Sequence, residues 1–254
     1  MLTHLKLYLF LGGMPEVLND YLQNRDIANA RQIQNEILES YKRDFSKYTD
    51  KNLALKTSEV FRSIPYQLAK EKKKFIYSEI NKNSRAATYE QAIEWLLKAG
   101  LIYVVNNISV PKLPLAGYAD NLKFKIYLFD TGLLSAMLNI DSSIILDTNT
   151  LFSEYNGAFT ENFAATQLWQ HKTDNLYYWT SNSDAEVDFI VEHANEIYPI
   201  EVKSGLSRNK KSLQSYAEKF HPKLMFRFSP RNFIVQENFI NIPLYAVQRI
   251  FSLF

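Results

Sequence analysis

Two neighbouring stretches, Glu186-Val187-Asp188-Phe189-Ile190-Val191 and Pro199-Ile200-Glu201-Val202-Lys203, alternate charged and apolar residues. That period of two is the pattern of a β-strand with one face turned to a core. His193-Ala194-Asn195-Glu196 lies between them and predicts a tight connection, so the two strands form an antiparallel hairpin. With Glu192 paired to Ile197, every pair of partners has residue numbers adding to 389. Asp188 then falls opposite Glu201, and Glu186 opposite Lys203, with Cβ atoms about 4.5–5.5 Å apart. The four charged side chains share one face. Val187, Phe189, Ile200 and Val202 point to the other, into a core.

Facing carboxylates repel, and a divalent cation between them relieves that repulsion, because hard cations take oxygen ligands. Lys203 beside them can stabilise developing negative charge or position a water. A metal ion, carboxylate ligands and a lysine are what metal-assisted phosphodiester hydrolysis requires. Glu161, in Gly157-Ala-Phe-Thr-Glu-Asn-Phe163 on a helix before the hairpin, can complete the set. The expected metal is Mg²⁺ or Mn²⁺, held by Asp188, Glu201 and Glu161. The competing reading of alternating charges on a strand is a plain solvated face. The chain has no Cys, which excludes a thiolate zinc site, a cysteine nucleophile and a disulfide scaffold. Its four His residues, His4, His171, His193 and His221, show no metal-like spacing.

Outward from the hairpin, the pattern predicts a helix from Phe152, a strand over Leu176–Trp179, a helix over Lys211–Phe220 and a strand over Leu224–Phe228. That sequence of elements is an α/β domain over 152–230, followed by an apolar tail, 231–254, that packs back on the body. Upstream, residues 1–50 read as helical. Gly12-Gly13 break the first segment, Pro15 opens the next, and Ile33, Ile37, Tyr41, Phe45 and Tyr48 form a helical stripe. Residues 51–140 predict a winged-helix-like module. It has a helix over Leu53–Phe61 and a second opened by Pro65. A third is capped by Thr88 and Gln91 and ended by Gly100. A hairpin of Leu101–Val105 and Phe124–Leu128 closes it as the wing. Residues 141–151 read as a linker. In a winged helix the Thr88 helix and the wing face DNA, with Lys82 and Arg85 as contacts. The run Lys70 to Lys74 reads as a solvated face.

With 254 residues, 46% hydrophobic and 22% charged, the chain can bury a core in one large or two small domains. Its net charge of +2 does not mark a nucleic-acid binder, so any such role must come from local patches. No apolar run reaches the ~18 residues of a membrane span, so no membrane association is expected. The absence of Cys fits a reducing cytosol, and a cytoplasmic location is the expectation. No G-x-x-x-x-G-K-[ST] loop is present, so ATP is not an expected cofactor.

The pattern E…EVDF…IEVKS resembles the PD-(D/E)XK nuclease-type core. Glu161 matches its first helix, Asp188 its second core strand, and Glu201 and Lys203 its third. Lys210 or Lys211, at the start of the next helix, would add a phosphate contact. The wider chain is similar to the C-terminal part of bacterial and archaeal AAA-type ATP-binding proteins, the part labelled domain of unknown function 4143. The matching pieces are Gly12 to Val17, Tyr41 to Phe45, Phe61 to Leu68, Lys73 to Phe75, Tyr89 to Gly100, Lys125 to Asp130 with Gly132-Leu133-Leu134, and the nuclease-like core. They span most of residues 8–230. The resemblance implies an α/β fold in which a restriction-endonuclease-like domain follows a winged helix. It also implies DNA as partner and an AAA-type ATPase domain upstream or in trans. Two other readings stay open: a non-catalytic DNA-binding or regulatory half of the ATPase, and a protein-interaction module.

Overall fold

The computed structural model describes residues 1–70, 73–82, 85–141, 156–170, 176–181, 185–206 and 210–253. Lys72, His171, the expected linker beyond Asp141 and the expected helix start at Phe152 lie outside these residues. The chain is a mixed α/β protein with two compact units. One comprises residues 3–103 and 126–159; the other comprises 1–2, 104–125 and 160–254. Among the described residues no helix is long and apolar enough to cross a membrane.

The first unit is helical. It holds α1 (Leu2–Leu11), α2 (Pro15–Asn24), α3 (Ile27–Tyr48), α4 (Lys51–Leu68), α5 (Ala86–Lys98) and α6 (Thr131–Met137). Asp26 and Asp50 cap α3 and α4 through their side chains. The buried stripe of α3 is Ala30, Gln34, Leu38 and Phe45: Phe45 is buried as expected, Gln34 and Leu38 take the places expected for Ile33 and Ile37 one position earlier, and Tyr48 is exposed. Gln34 explains the shift: its amide donates to the Phe10 and Leu11 carbonyls at 2.8 and 2.9 Å, satisfying the C-terminal end of α1. Phe45 stands edge-on to Phe61 and Trp95 at 5.5 Å each.

Two local expectations give way to packing and a third holds. Pro65 lies inside α4 and does not open a new helix, because Val60, Phe61, Ile64 and Leu68 form one buried face across it. Helix α5 begins at Ala86 with Arg85 at its N-cap, ahead of the Thr88 capping box. Gly100, at φ +72°, follows its end as expected.

The Gly12-Gly13 break is held from far along the chain. Gly13 N–H donates to Asp130 Oδ2 at 2.6 Å, and Leu133 N–H to Asp130 Oδ1 at 2.8 Å. Burial pushes the Asp130 carboxyl above its ordinary value, while hydrogen bonds from Gly13, Leu133 and Gly132 pull it back. Gly12 sits at φ +76°, and a Cβ there would fall 2.2 Å from Asp130 Oδ1. A Cβ on Gly132 would fall 2.3 Å from the Leu11 carbonyl oxygen, which is backbone and cannot yield. Two motifs over a hundred residues apart thus form one clamp.

The second unit is built on an eight-stranded sheet. Its strands are β1 (Ile102–Ile108), β2 (Ala119–Leu128), β3 (Tyr177–Thr180), β4 (Glu186–His193), β5 (Glu196–Val202), β6 (Met225–Ser229), β7 (Ile234–Gln236) and β8 (Phe239–Pro243). They run in the order β2-β1-β3-β4-β5-β6-β8-β7. Helices α7 (Asn156–Gln170) and α8 (Lys211–Phe220) belong to the crossovers β1–β3 and β5–β6, both parallel pairs. The sequence expects β1 and β2 as the wing of a separate module. The structure instead pairs Asn106, Asn107 and Ile108 with Tyr177, Tyr178 and Trp179, so the hairpin extends the same sheet. The expected packing tail also enters the sheet: β8 pairs in parallel with β6, from Met225↔Phe239 to Ser229↔Pro243. Trp179 lies at the heart of the core under α8, edge-on to Tyr216 and Phe220 at 5.3 and 5.8 Å.

The β4–β5 pairing keeps the constant sum read from the sequence: Phe189↔Ile200, Ile190↔Pro199, Val191↔Tyr198, Glu192↔Ile197 and His193↔Glu196. Ala194 and Asn195 turn the hairpin at φ +49° and +62°, the two left-handed positions of a type I′ turn. This backbone sets two expectations for stability. Gly132→Ala should lower it by about 2–3 kcal/mol in thermal unfolding. Ala194→Gly, which removes a Cβ from a left-handed position, should raise it by about 1 kcal/mol.

Candidate functional site

Asp188 and Glu201 come from adjacent strands, one step beyond the pair Phe189↔Ile200. The Asp188 carboxylate reaches across to β5 and accepts the Val202 N–H at 2.7 Å. Glu201 is only 2% exposed. Its Oε1 meets Lys203 Nζ at 2.9 Å. Its Oε2 is buried, without a hydrogen bond, 3.7 Å from Arg227 Nε. Arg227 stands on β6 in register with Glu201 and is itself buried. This is not a solvated strand face. Both faces of the hairpin are covered, with Val187, Phe189, Ile190, Val191 and Ile200 fully buried.

Electrostatics bind this group together. Burial alone would lower the Lys203 ammonium, but the Glu201 charge and hydrogen bond, with the Asp188 charge, outweigh it and hold it above its ordinary value. Burial lowers the Arg227 guanidinium, against the pull of Glu201.

Glu161 and Glu186 belong to a different cluster. Lys125 on β2 is fully buried, and its Nζ bridges Glu161 Oε1 at 2.9 Å and Glu186 Oε1 at 2.5 Å. The same ammonium lies 5.0 Å over the Tyr178 ring. Tyr178 is pushed up to about 12, chiefly by burial. Glu186 therefore turns to Lys125, not to Lys203 as the strand register suggested. Glu161, expected beside Asp188 and Glu201, is engaged by Lys125. Among the described residues no three His, Asp or Glu side chains stand close enough to hold a metal ion together. Donor chemistry still fits a hard divalent cation at Asp188 and Glu201: both offer oxygen, and Glu201 Oε2 lacks a hydrogen bond.

Of the other expected contacts, Lys82 and Arg85 are exposed in the helical unit, and Arg85 is the N-cap residue of α5. Lys210 is the N-cap residue of α8 and Lys211 its first residue. Lys125 and Arg227 are the site residues that sequence reading passed over. Both carry a signal: a cation flanked by large apolar residues, Phe124-Lys125-Ile126 and Phe226-Arg227-Phe228, in a strand too apolar to be exposed. A buried cation needs an acid from elsewhere in the fold.

The fold and site define a mixed α/β chain with a buried acid, Glu201, on a central strand of its sheet, paired to a half-buried lysine, Lys203. The chain belongs to the family described as Domain of unknown function (DUF8612), whose sequence model matches residues 2–144. Residues 156–247 match a second family, Domain of unknown function (DUF4143). The resemblance to the latter, expected over most of 8–230, thus resolves into two matches, and the pieces from Gly12 to Leu134 fall in the first. The chain is also 41% identical over 80 residues to the uncharacterized protein Rv2008c of Mycobacterium tuberculosis. The uncharacterized protein Mb2031c of Mycobacterium bovis matches to the same extent. That stretch is 31% of this chain and 17% of the length of each curated relative. No solved structure matches the chain.

The Lys125 cluster yields a prediction. Lys125→Met leaves Glu161 buried without its cation and should cost about 3–5 kcal/mol in chemical unfolding. Lys125→Met with Glu161→Leu should recover much of that loss, because no unpaired buried charge remains.

Proposed function

We propose that the sheet unit is a phosphodiester-processing module of the PD-(D/E)XK nuclease type. It acts on or binds DNA with a divalent cation and works with an AAA-type ATPase domain upstream or in trans. The observation that carries this reading is the Asp188–Glu201–Lys203 arrangement. Asp188 is fastened to β5 by the Val202 N–H, next in chain to Glu201, and Glu201 is bound to Lys203 at 2.9 Å. The resemblance of EVDF…IEVKS to that nuclease core supports it.

Asp188 and Glu201 are the residues that would hold the cation. Two protein carboxylates suffice, because Mg²⁺ keeps several waters and takes phosphate oxygens from substrate. Once bound there, it supplies Lewis-acid and water-activating chemistry. Lys203 moves its charge from Glu201 to the phosphate oxygens as negative charge develops there. Arg227 stands behind Glu201, its Nε 3.7 Å from Oε2, as a fixed positive charge on that side of the carboxylate. Glu161, engaged by Lys125, holds α7 against β2 and is spared direct ligation.

A second reading, a binding module without turnover, is favoured by the neutralisation of Glu201 by Lys203 and Arg227 within the protein itself. Calorimetry with Mn²⁺ and a plasmid-nicking assay separate the two. Losing an outer-sphere partner of a metal costs about 10–100-fold in affinity, so Asp188→Asn should cost at least that. Lys203→Ala should abolish nicking and, with the competing ammonium gone from Glu201, leave Mn²⁺ affinity equal to or above that of wild type. Equal Mn²⁺ affinity in wild type and Asp188→Asn would sink the ligand assignment. Mn²⁺ binding without cleavage of any DNA or RNA would establish the binding module.

For the helical unit, the proposed DNA interaction runs through exposed Lys82 and Arg85. Reversing both charges should weaken DNA binding and flatten its salt dependence, by about 0.9 in slope for each phosphate no longer neutralised. An unchanged slope would leave that unit as a spacer.

A further inference from the structure

A cavity of about 470 Å³ opens beside α8, lined by Lys210, Leu213, Gln214, Gln236, Asn238 and Phe239 among others. Leu213, Phe239 and Met225 are buried and give it an apolar floor. Three carboxamides, Gln214, Gln236 and Asn238, stand around it. Each offers both a donor and an acceptor, the pair a heterocycle edge needs.

Positive charge gathers at one side. Lys210 Nζ lies 3.4 Å over the Phe239 ring and donates to Gln236 Oε1 at 3.2 Å. Arg227, in register with Glu201, reaches the same ring at 5.2 Å. Lys210 is within electrostatic range of Arg227, Arg231 and Glu201. Neither Lys210 nor Arg231 forms a salt bridge among the described residues. The acids nearby are Glu201, already bound to Lys203, and Glu237, which lines the cavity. An apolar floor, amide edges and cations on one side suit a base with its phosphate. The volume lies in the range of about 300–1,000 Å³ common to small-ligand sites.

We infer that this cavity takes one unstacked base of a single-stranded nucleic acid, with Lys210 and Arg231 on the adjoining phosphates. The strand, as against a free nucleotide, rests on the proposed phosphodiester site: Phe239 links Lys210 to Arg227, and Arg227 faces Glu201. The backbone held at Lys210 continues toward the carboxylates, and the base in the cavity fixes its register.

The test is fluorescence anisotropy in EDTA, with no metal and no cleavage. The probes are a twelve-nucleotide thymidine strand, an abasic strand of equal length, and free dTMP as competitor. Wild type should prefer the thymidine strand by about ten-fold, the scale of one stacked base. Ala217 also lines the cavity, so Ala217→Leu fills it and should erase the preference. Gln214→Glu, at an exposed position, should weaken it without endangering the fold. Lys210→Ala and Arg231→Ala should keep the preference and flatten the salt slope by about 0.7 per phosphate released. Equal binding of the two strands by wild type, no binding of either, or an intact preference in both Ala217→Leu and Gln214→Glu would overturn the inference. So would displacement by dTMP as tight as the strand itself, which assigns the cavity to a free nucleotide. Metal affinity at Asp188 is measured separately, so failure of the carboxylate site and failure of the cavity are distinguishable.

Discussion

A slip of one residue between β4 and β5 would turn Asp188 and Glu201 away from each other and send Val187 and Ile200 to the wrong sides of the sheet. The pairing from Phe189↔Ile200 to His193↔Glu196 prevents it, and three features secure that register. The two-residue turn at Ala194-Asn195 sets it at one end. The hydrogen bond from Val202 N–H to Asp188 sets it at the other. Between them, the fully buried Val187, Phe189, Ile190, Val191 and Ile200 would be mispacked in any other alignment. The acidic pair is thus a consequence of hairpin geometry, and its chemistry follows from what the neighbouring strands bring to it.

Those strands bring cations. Glu201 is buried in the sheet between Lys203 on its own chain segment and Arg227 on β6. Glu161 is buried on α7 against Lys125 from β2. Removing one member of such a pair is far more damaging than never having had it, since the survivor is left charged in a dry place. The Lys125 pair also explains why β1 and β2 belong to the sheet. A fully buried ammonium on β2 requires the carboxylates of α7 and β4, so the hairpin cannot stand apart as a free wing. The parallel pairing of β1 with β3 then follows the same placement.

Local pattern carried the parts of this fold governed by neighbours in sequence. The hairpin register, the α8 bounds and the Gly100 stop were legible because each depends on residues within a few positions; the Gly12-Gly13 break was legible as a break, but not the distant Asp130 that holds it. What stayed hidden depends on partners far away. The buried side of α3 is set by Gln34 reaching the end of α1, a polar residue that a hydrophobic count assigns to the surface. Pro65 is carried through α4 by the apolar face on either side of it, and Thr88 is bypassed as a cap by a helix already begun at Ala86. Of the site, Asp188, Glu201 and Lys203 could be placed on one hairpin from their spacing. Arg227 could not, because its pairing with Glu201 needs the crossover through α8. Glu161 was recognisable as an acid on the helix before the hairpin and was expected at the metal, but its partner, Lys125, is 36 positions earlier in the chain.

The cations around Glu201 bear on how a metal-dependent site would operate. A carboxylate neutralised by Lys203 is in a stable resting state without a metal, and Mg²⁺ must compete with an ammonium 2.9 Å away. Coulomb attraction favours the divalent ion, but its dehydration opposes entry. A phosphodiester substrate would shift that balance, because it would give Lys203 a new anion and a metal new oxygen ligands. Arg227 is not released in the same way. It is buried on a central strand, so it continues to face Glu201 whichever cation holds the other oxygen. Under the proposed function the arrangement would couple metal affinity to the arrival of phosphate: Lys203 would be the charge that moves, Arg227 the one that stays, and the carboxylate pair would hold metal more tightly once a strand received the lysine.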